Sequence, residues 1–144
     1  QNIFQNLSEQ IVLDGEGATK LIEVQIKNSK SKLEANAIAK SIANSPLVKT
    51  AFHGSDPNWG RIIMAIGKTY FKIDKKKLAI KFGNYSLIKN GKVINNIDEE
   101  KLKTYLNQKR ITITVDLKKG KFMSNVLTCD LSKKYIEINA SYKS

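Results

Sequence analysis

A chain of 144 residues is long enough for one domain with its own core, and 41% hydrophobic against 26% charged residues is the balance of a globular protein. No apolar stretch reaches the roughly 18 residues needed to cross a bilayer, the opening QNIFQNLSEQ carries neither a basic nor an apolar signal region, and one cysteine with one histidine excludes an internal disulfide and a zinc site of the usual spacing. The net charge of +12 raises nucleic-acid binding, but the lysines are spread from Lys20 to Lys143 and the only arginines are Arg61 and Arg110, so the charge is assigned to solvated faces.

The lone cysteine accords with a reducing compartment. Gln1 is not an initiator Met, and a fragment or processed piece of a longer product is expected.

Phe4, Leu7 and Ile11 recur at helical spacing, which predicts the end of an amphipathic helix over residues 1 to 12. Asp14-Gly15-Glu16-Gly17 breaks it. Ile22, Val24 and Ile26 then alternate with Leu21, Glu23 and Gln25, a strand. Ser31 and Glu34 form a capping-box pattern ahead of the stripe Leu33, Ala37, Ile38 and Ile42, so a helix is expected from about 32 to 44. Ser45-Pro46 ends it, because the residue before proline avoids the α region. Leu47 to Phe52 is taken as a short strand, followed by a turn-rich loop from His53 to Gly60 and a short helix through Ile62, Ile63 and Ile66.

Leu78, Ile80 and Phe82 alternate, and Tyr85, Leu87 and Asn90-Gly91 predict a hairpin. Asp98 can cap a helix carrying Leu102, Tyr105 and Leu106. Ile111, Ile113, Val115 and Leu117 alternate strictly, a strand whose apolar face has no obvious cover in the sequence. Phe122 to Leu127 is a further strand, and Asp130 or Ser132 can cap a last helix ending near Asn139. The pattern is α+β, with mixed or antiparallel sheets and packed helices, and a division near residue 69 separates 1–69 from a more strand-rich 70–144.

Few residues carry chemistry on their own. His53 beside a turn is first a surface or packing residue, and Cys129 a small buried apolar one. Glu16 stands between two glycines, which let a ligand approach the backbone. It either meets a substrate ammonium at a strand entrance or is an acidic turn residue in water. Asp56-Pro-Asn-Trp-Gly-Arg61 is either a recognition loop or, as favoured here, a structural plug in which Trp59 fills a core gap.

Taken together these segments resemble the bifunctional ornithine acetyltransferase (glutamate N-acetyltransferase) family of arginine biosynthesis. Asp14-Gly-Glu-Gly-Ala-Thr-Lys20 is similar to its hallmark. Ser45-Pro-Leu-Val-Lys-Thr-Ala51 with Asp56-Pro-Asn-Trp-Gly-Arg61 is similar to its next block, and Cys129-Asp-Leu-Ser132 with Ile138-Asn-Ala-Ser-Tyr-Lys-Ser144 to its C-terminal block.

The resemblance implies a precursor that cuts itself before a Thr. That Thr becomes the first residue of a β subunit and takes the acetyl group from N-acetylornithine as an acyl-enzyme, and glutamate then accepts it. Some members also use acetyl-CoA as donor. The Thr and the oxyanion hole lie upstream, so no catalytic residue is expected in this chain, and no metal or cofactor. By the resemblance Glu16, Asn139 and Ser144 bind substrate. The chain is implied to be the C-terminal part of the β subunit, with 1–69 belonging to the main catalytic domain of a larger self-processing fold. Residues 70–144 are implied to be a smaller domain whose tail returns to the active site. Its implied partners are the α subunit and the rest of the β subunit in an α2β2 assembly, in the cytoplasm, with neither nucleic acid nor membrane.

The sequence departs from the family pattern at Ser141, where Asp is usual, at Lys143, where Arg is usual, at Phe122 to Val126, and at His53. Two other classes compete: a basic nucleic-acid-binding module, and a self-cleaving aminopeptidase of related fold, which is not expected to carry both the DPNWGR block and the asparagine-containing tail.

Overall fold

Twelve elements follow one another in the computed structural model, which describes residues 3–15 and 17–142. They are α1 (Ile3–Leu13), β1 (Leu21–Ser29), α2 (Lys32–Ala43), α3 (Pro46–His53), α4 (Trp59–Gly67), β2 (Ala79–Phe82), β3 (Tyr85–Lys89), β4 (Lys92–Val93), α5 (Glu99–Leu106), β5 (Arg110–Asp116), β6 (Phe122–Cys129) and α6 (Lys133–Ser141). The six strands form one mixed sheet in the order β4-β3-β2-β5-β1-β6, so the expected α+β class holds. Only β1 and β5 run parallel; the other neighbours are antiparallel. Residue 69 falls between α4 and β2, and strands from either side of it lie next to each other in the sheet.

Alternation builds the core. Ile22, Val24 and Ile26 stand beside Ile111, Ile113 and Val115 in the parallel register, and Val115 and Ile113 stand beside Ile80 and Phe82. All are fully buried on one face of the sheet. That face is covered by apolar stripes from the helices, among them Ile38 and Ile42, Val48 and Phe52, Ile62 and Ile66, and Leu102 and Leu106. Phe52 and Phe82 meet edge to face with centroids 5.1 Å apart. The apolar face of β5 therefore finds its cover inside this chain, contrary to the expectation that it lies bare. The reverse face is polar: Glu23 accepts from Gln25 and Asn125 across β1 and β6. At one end of this face Arg110 pairs with Glu9 of α1 at 2.9 Å.

Residues 46–53 are a helix where a strand was expected. Ser45-Pro46 both stops α2 and starts α3: Pro46 occupies the first turn, where its missing N–H costs nothing, and the Ser45 hydroxyl accepts from the Val48 amide. Val48, Ala51 and Phe52 then form the buried i, i+3, i+4 stripe.

The other caps follow their side chains. Ser31 accepts from the Glu34 amide, Asn58 from Arg61 and Asp98 from Lys101. Glu34 accepts from Ser29 Oγ at 2.6 Å and the Lys30 amide at 2.9 Å, and pairs with Lys119. Asn90 and Gly91, with φ of 49° and 71°, make the two-residue turn of the β3–β4 hairpin. Helix α6 has no side-chain cap and no buried residue.

Candidate functional site

The end of β1 that carries Leu21 lies against the end of β6 that carries Cys129. This pairing brings the residues just before β1 to those just after β6. Asp130 occupies the junction, and its side chain is wholly buried. Its Oδ1 accepts the amides of Thr19 and Lys20, each at 2.8 Å. Its Oδ2 accepts the Thr19 hydroxyl at 2.5 Å and lies 2.7 Å from His53 Nδ1, which therefore carries the proton. Burial pushes the Asp130 carboxyl up, but the bonds from Thr19, His53 and the two amides outweigh it and leave the pKa below its ordinary value.

Lys20 closes the other side. Its ammonium donates to the carbonyl of Phe52 at 2.6 Å and to Ser55 Oγ at 2.7 Å, with a longer reach of 3.5 Å to the carbonyl of His53. A cation at the carbonyl end of α3 is favoured by the helix dipole. Burial lowers the Lys20 pKa, and the neighbouring Asp130 offsets part of that. The Ser55 hydroxyl in turn donates to Asn107 Oδ1 at 2.6 Å.

A second tie lies nearby. Ser132 Oγ donates to the carbonyl of Gly17 at 2.7 Å. Gly17 has φ of +73°, and a Cβ there would stand 2.7 Å from Ser132 Oγ and 3.0 Å from both Lys134 Cβ and the Tyr135 amide. Only glycine lets the loop press so closely against the first turn of α6. A cavity of about 300 Å³ opens beside this contact, between Gly15, Pro46, Lys49, Cys129 and Tyr135.

The first and last motif blocks thus meet at one buried carboxylate, and the C-terminal end of α3 reaches the same place through Phe52 and His53, just past the quoted Ala51. Of the expected substrate-binding residues, Glu16 and Ser144 lie outside the described residues, as does Lys143. Asn139 sits on exposed α6, where its Nδ2 donates to the carbonyl of Tyr135 at 2.8 Å. Asp130, expected as a possible cap of the last helix, instead accepts from Thr19, Lys20 and His53, and Thr19 and Lys20 have no role in the sequence reading beyond their motif. His53, expected as a bland surface or packing residue, is a half-exposed partner of Asp130. Cys129 is half-buried rather than buried. The signal for this cluster was available only in part, since Thr19, Lys20 and Asp130 each stand inside a quoted motif.

The DPNWGR segment does structural work. Asn58 caps α4, Trp59 packs half-buried against the core, and Arg61 donates to the carbonyl of Leu47 at 2.7 Å. With Arg110 held by Glu9 and Arg61 by α3, neither arginine supports the nucleic-acid reading. Among the described residues no group of three or more His, Cys, Asp or Glu is placed to hold a metal ion, and no helix is long and apolar enough to cross a membrane.

Comparison with known proteins agrees with the motifs. The family model described as the ArgJ family matches residues 1–144. The "Arginine biosynthesis bifunctional protein ArgJ" of Zymomonas mobilis is 47% identical over 142 residues, 99% of this chain and 35% of that protein. The protein of the same name from Nitrobacter winogradskyi is 46% identical over 142 residues, 99% of this chain and 34% of its own length. The chain thus spans about a third of the length of these curated relatives. The crystal structure of the Bacillus halodurans protein of that name superposes with a TM-score of 0.90 at 40% identity, covering 96% of this chain and 65% of that one.

Proposed function

Since the chain belongs to the ArgJ family, we propose that it is the substrate-binding C-terminal part of an acyltransferase that moves an acetyl group from N-acetylornithine to glutamate in arginine biosynthesis. The observation that supports this reading is the junction of the first and last motif blocks, where Asp130 accepts the amides of Thr19 and Lys20 and Ser132 donates to the carbonyl of Gly17.

In this reading a Thr outside the chain is the nucleophile. Its weak hydroxyl is activated by an adjacent amine, and the acetyl-enzyme splits one difficult step into two. Oxyanion donors, also outside the chain, hold the tetrahedral intermediate. This chain supplies recognition: Glu16 takes the substrate ammonium, and Asn139 and Ser144 orient it through neutral hydrogen bonds. The α subunit and the remainder of the β subunit complete the site in an α2β2 heterotetramer, in the cytoplasm. Acetyl-CoA serves as a further donor where the complete enzyme accepts it.

The test is an assay of the complete enzyme that carries this chain. Glutamate-dependent deacetylation of N-acetylornithine, with ping-pong kinetics, is the expected result. A correctly folded, fully matured enzyme that leaves N-acetylornithine and glutamate unchanged overturns the reading.

A further inference from the structure

We propose that the cavity between α5 and the DPNWGR segment is a binding site for a free α-amino acid with an aliphatic side chain. The inference stands on this cavity and does not depend on acetyl transfer.

Three features carry it. The first is the shape and lining of the space. It measures about 430 Å³, within the roughly 300–1,000 Å³ of small-molecule sites. Leu87 and Leu102 line it and are buried, and Ile94 and Ile97 are half-buried beside them. These walls take an aliphatic side chain out of water. They are also held in place: the Ile94 amide donates to the carbonyl of Leu87 at 2.9 Å, and Ser55 is tied to Asn107 just past α5. A preformed cavity spares a ligand the cost of ordering its walls.

The second feature is a pair of opposite charges at the rim. Glu99 and Lys103 both line the cavity and stand four residues apart on α5. That spacing ordinarily yields an ion pair. Among the described residues neither side chain has a partner, although Lys101 and Asp98 pair at 3.3 Å on the same helix. A carboxylate and an ammonium left free one helical turn apart match the ammonium and carboxylate of a zwitterion. A ligand carrying only one charge would satisfy only one of them.

The third feature is Trp59. Its ring packs against the core, and its indole N–H has no partner among the described residues and reaches solvent. A buried indole N–H ordinarily finds an acceptor within the protein. Here a donor is left over on the wall of the cavity, where a ligand carboxylate shared with Lys103 can accept from it.

The experiment is isothermal titration calorimetry of the complete protein that carries this chain, with L-leucine as the probe. Saturable binding with a Kd at or below about 5 mM is expected for so small a ligand. N-acetyl-L-leucine, which lacks the ammonium, and L-leucinamide, which lacks the carboxylate, should each bind at least about threefold more weakly. Glu99→Gln and Lys103→Met should each weaken L-leucine by a similar factor. Glu99→Gln should leave N-acetyl-L-leucine unaffected, because the partner of Glu99 is already gone. Both substituted side chains are exposed and unpartnered, so the variants should fold, and the two analogues decide the matter on the unchanged protein if one does not. No saturable binding up to about 5 mM overturns the proposal, including the case in which another segment of the complete protein fills the cavity. Analogues that bind as tightly as L-leucine overturn it too, as do variants that bind it as tightly as the unchanged protein. A protein that binds L-leucine in this way but transfers no acetyl group brings down the function proposed above and leaves this site standing.

Discussion

Ser132 stands at the N-cap position of α6 but gives its hydroxyl to the carbonyl of Gly17, 2.7 Å away, and leaves the helix without a side-chain cap. A residue that ordinarily stabilises its own helix is used to hold a loop 115 positions away in sequence.

Gly17→Ala should therefore be costly. The φ of +73° disfavours any side chain, and the added Cβ would meet Ser132 Oγ at 2.7 Å. A loss of roughly 2–3 kcal/mol is expected from strain plus overlap. Gly67→Ala is the control: nothing lies within 4 Å of its added methyl, and within a helix the change should be neutral or stabilising by about 0.5 kcal/mol. Denaturant midpoints of the two variants should move in opposite directions or differ by that margin.

Glu16→Gln in the complete enzyme tests the ligand role directly. If Glu16 meets a substrate ammonium in a partly desolvated site, about 2–4 kcal/mol of transition-state binding is lost, on the order of 30- to 1000-fold in kcat/KM. Self-cleavage should proceed normally, which serves as the folding control. Wild-type transfer by a matured variant removes Glu16 from the site.

Acid should loosen the Asp130 junction before it loosens the apolar core. Its folded pKa lies below the ordinary 3.8, so its contribution is full above that value and is lost as pH falls through the lower folded value. Glu34 behaves alike, below its ordinary 4.5: burial pushes it up, and Lys119, Ser29 and the Lys30 amide more than reverse this. The stability gap between the wild type and Asp130→Asn, read from urea midpoints, should be widest near neutrality and should close on acidification below about pH 4. A gap that stays constant down to pH 2 contradicts this.

The chain by itself should neither transfer acetyl groups nor stay monodisperse. Part of its exposed apolar surface is the stripe Ile3, Leu7 and Ile11 on α1, exposed by 74%, 48% and 72%. Light scattering should show self-association that Ile3→Glu with Ile11→Glu relieves. Turnover by the isolated chain, or a sharp monomeric melt without those changes, counts against it.

Much of the fold was legible because its elements obey simple periods. The β1 and β5 alternations, the Ser31 and Asp98 caps and the Asn90-Gly91 turn all stand where the residues put them. Helix α3 was missed because Ser45-Pro46 stops one helix and starts the next, and eight residues are too few to separate the helical from the strand period. Bare strand β5 was a misreading of a different kind: its cover comes from helices distant in sequence, which no local pattern reveals. The Asp130 cluster was hidden for the same reason. Thr19, Lys20, His53 and Asp130 are ordinary polar residues until the pairing of β1 with β6 places them together.

That central place of β1 also governs when the chain can fold. Gln25 pairs with Thr114, 89 positions further along the sequence, and β1 is flanked on both sides by strands that come late. Pairings of such separation are slow to form, because a long loop must close before they contribute. At about 5–20 residues per second of synthesis, β1 waits roughly 5–20 seconds for its neighbours. During that interval Ile22, Val24 and Ile26 form an unpaired apolar strand, which makes the nascent chain a client for chaperones until β5 and β6 emerge.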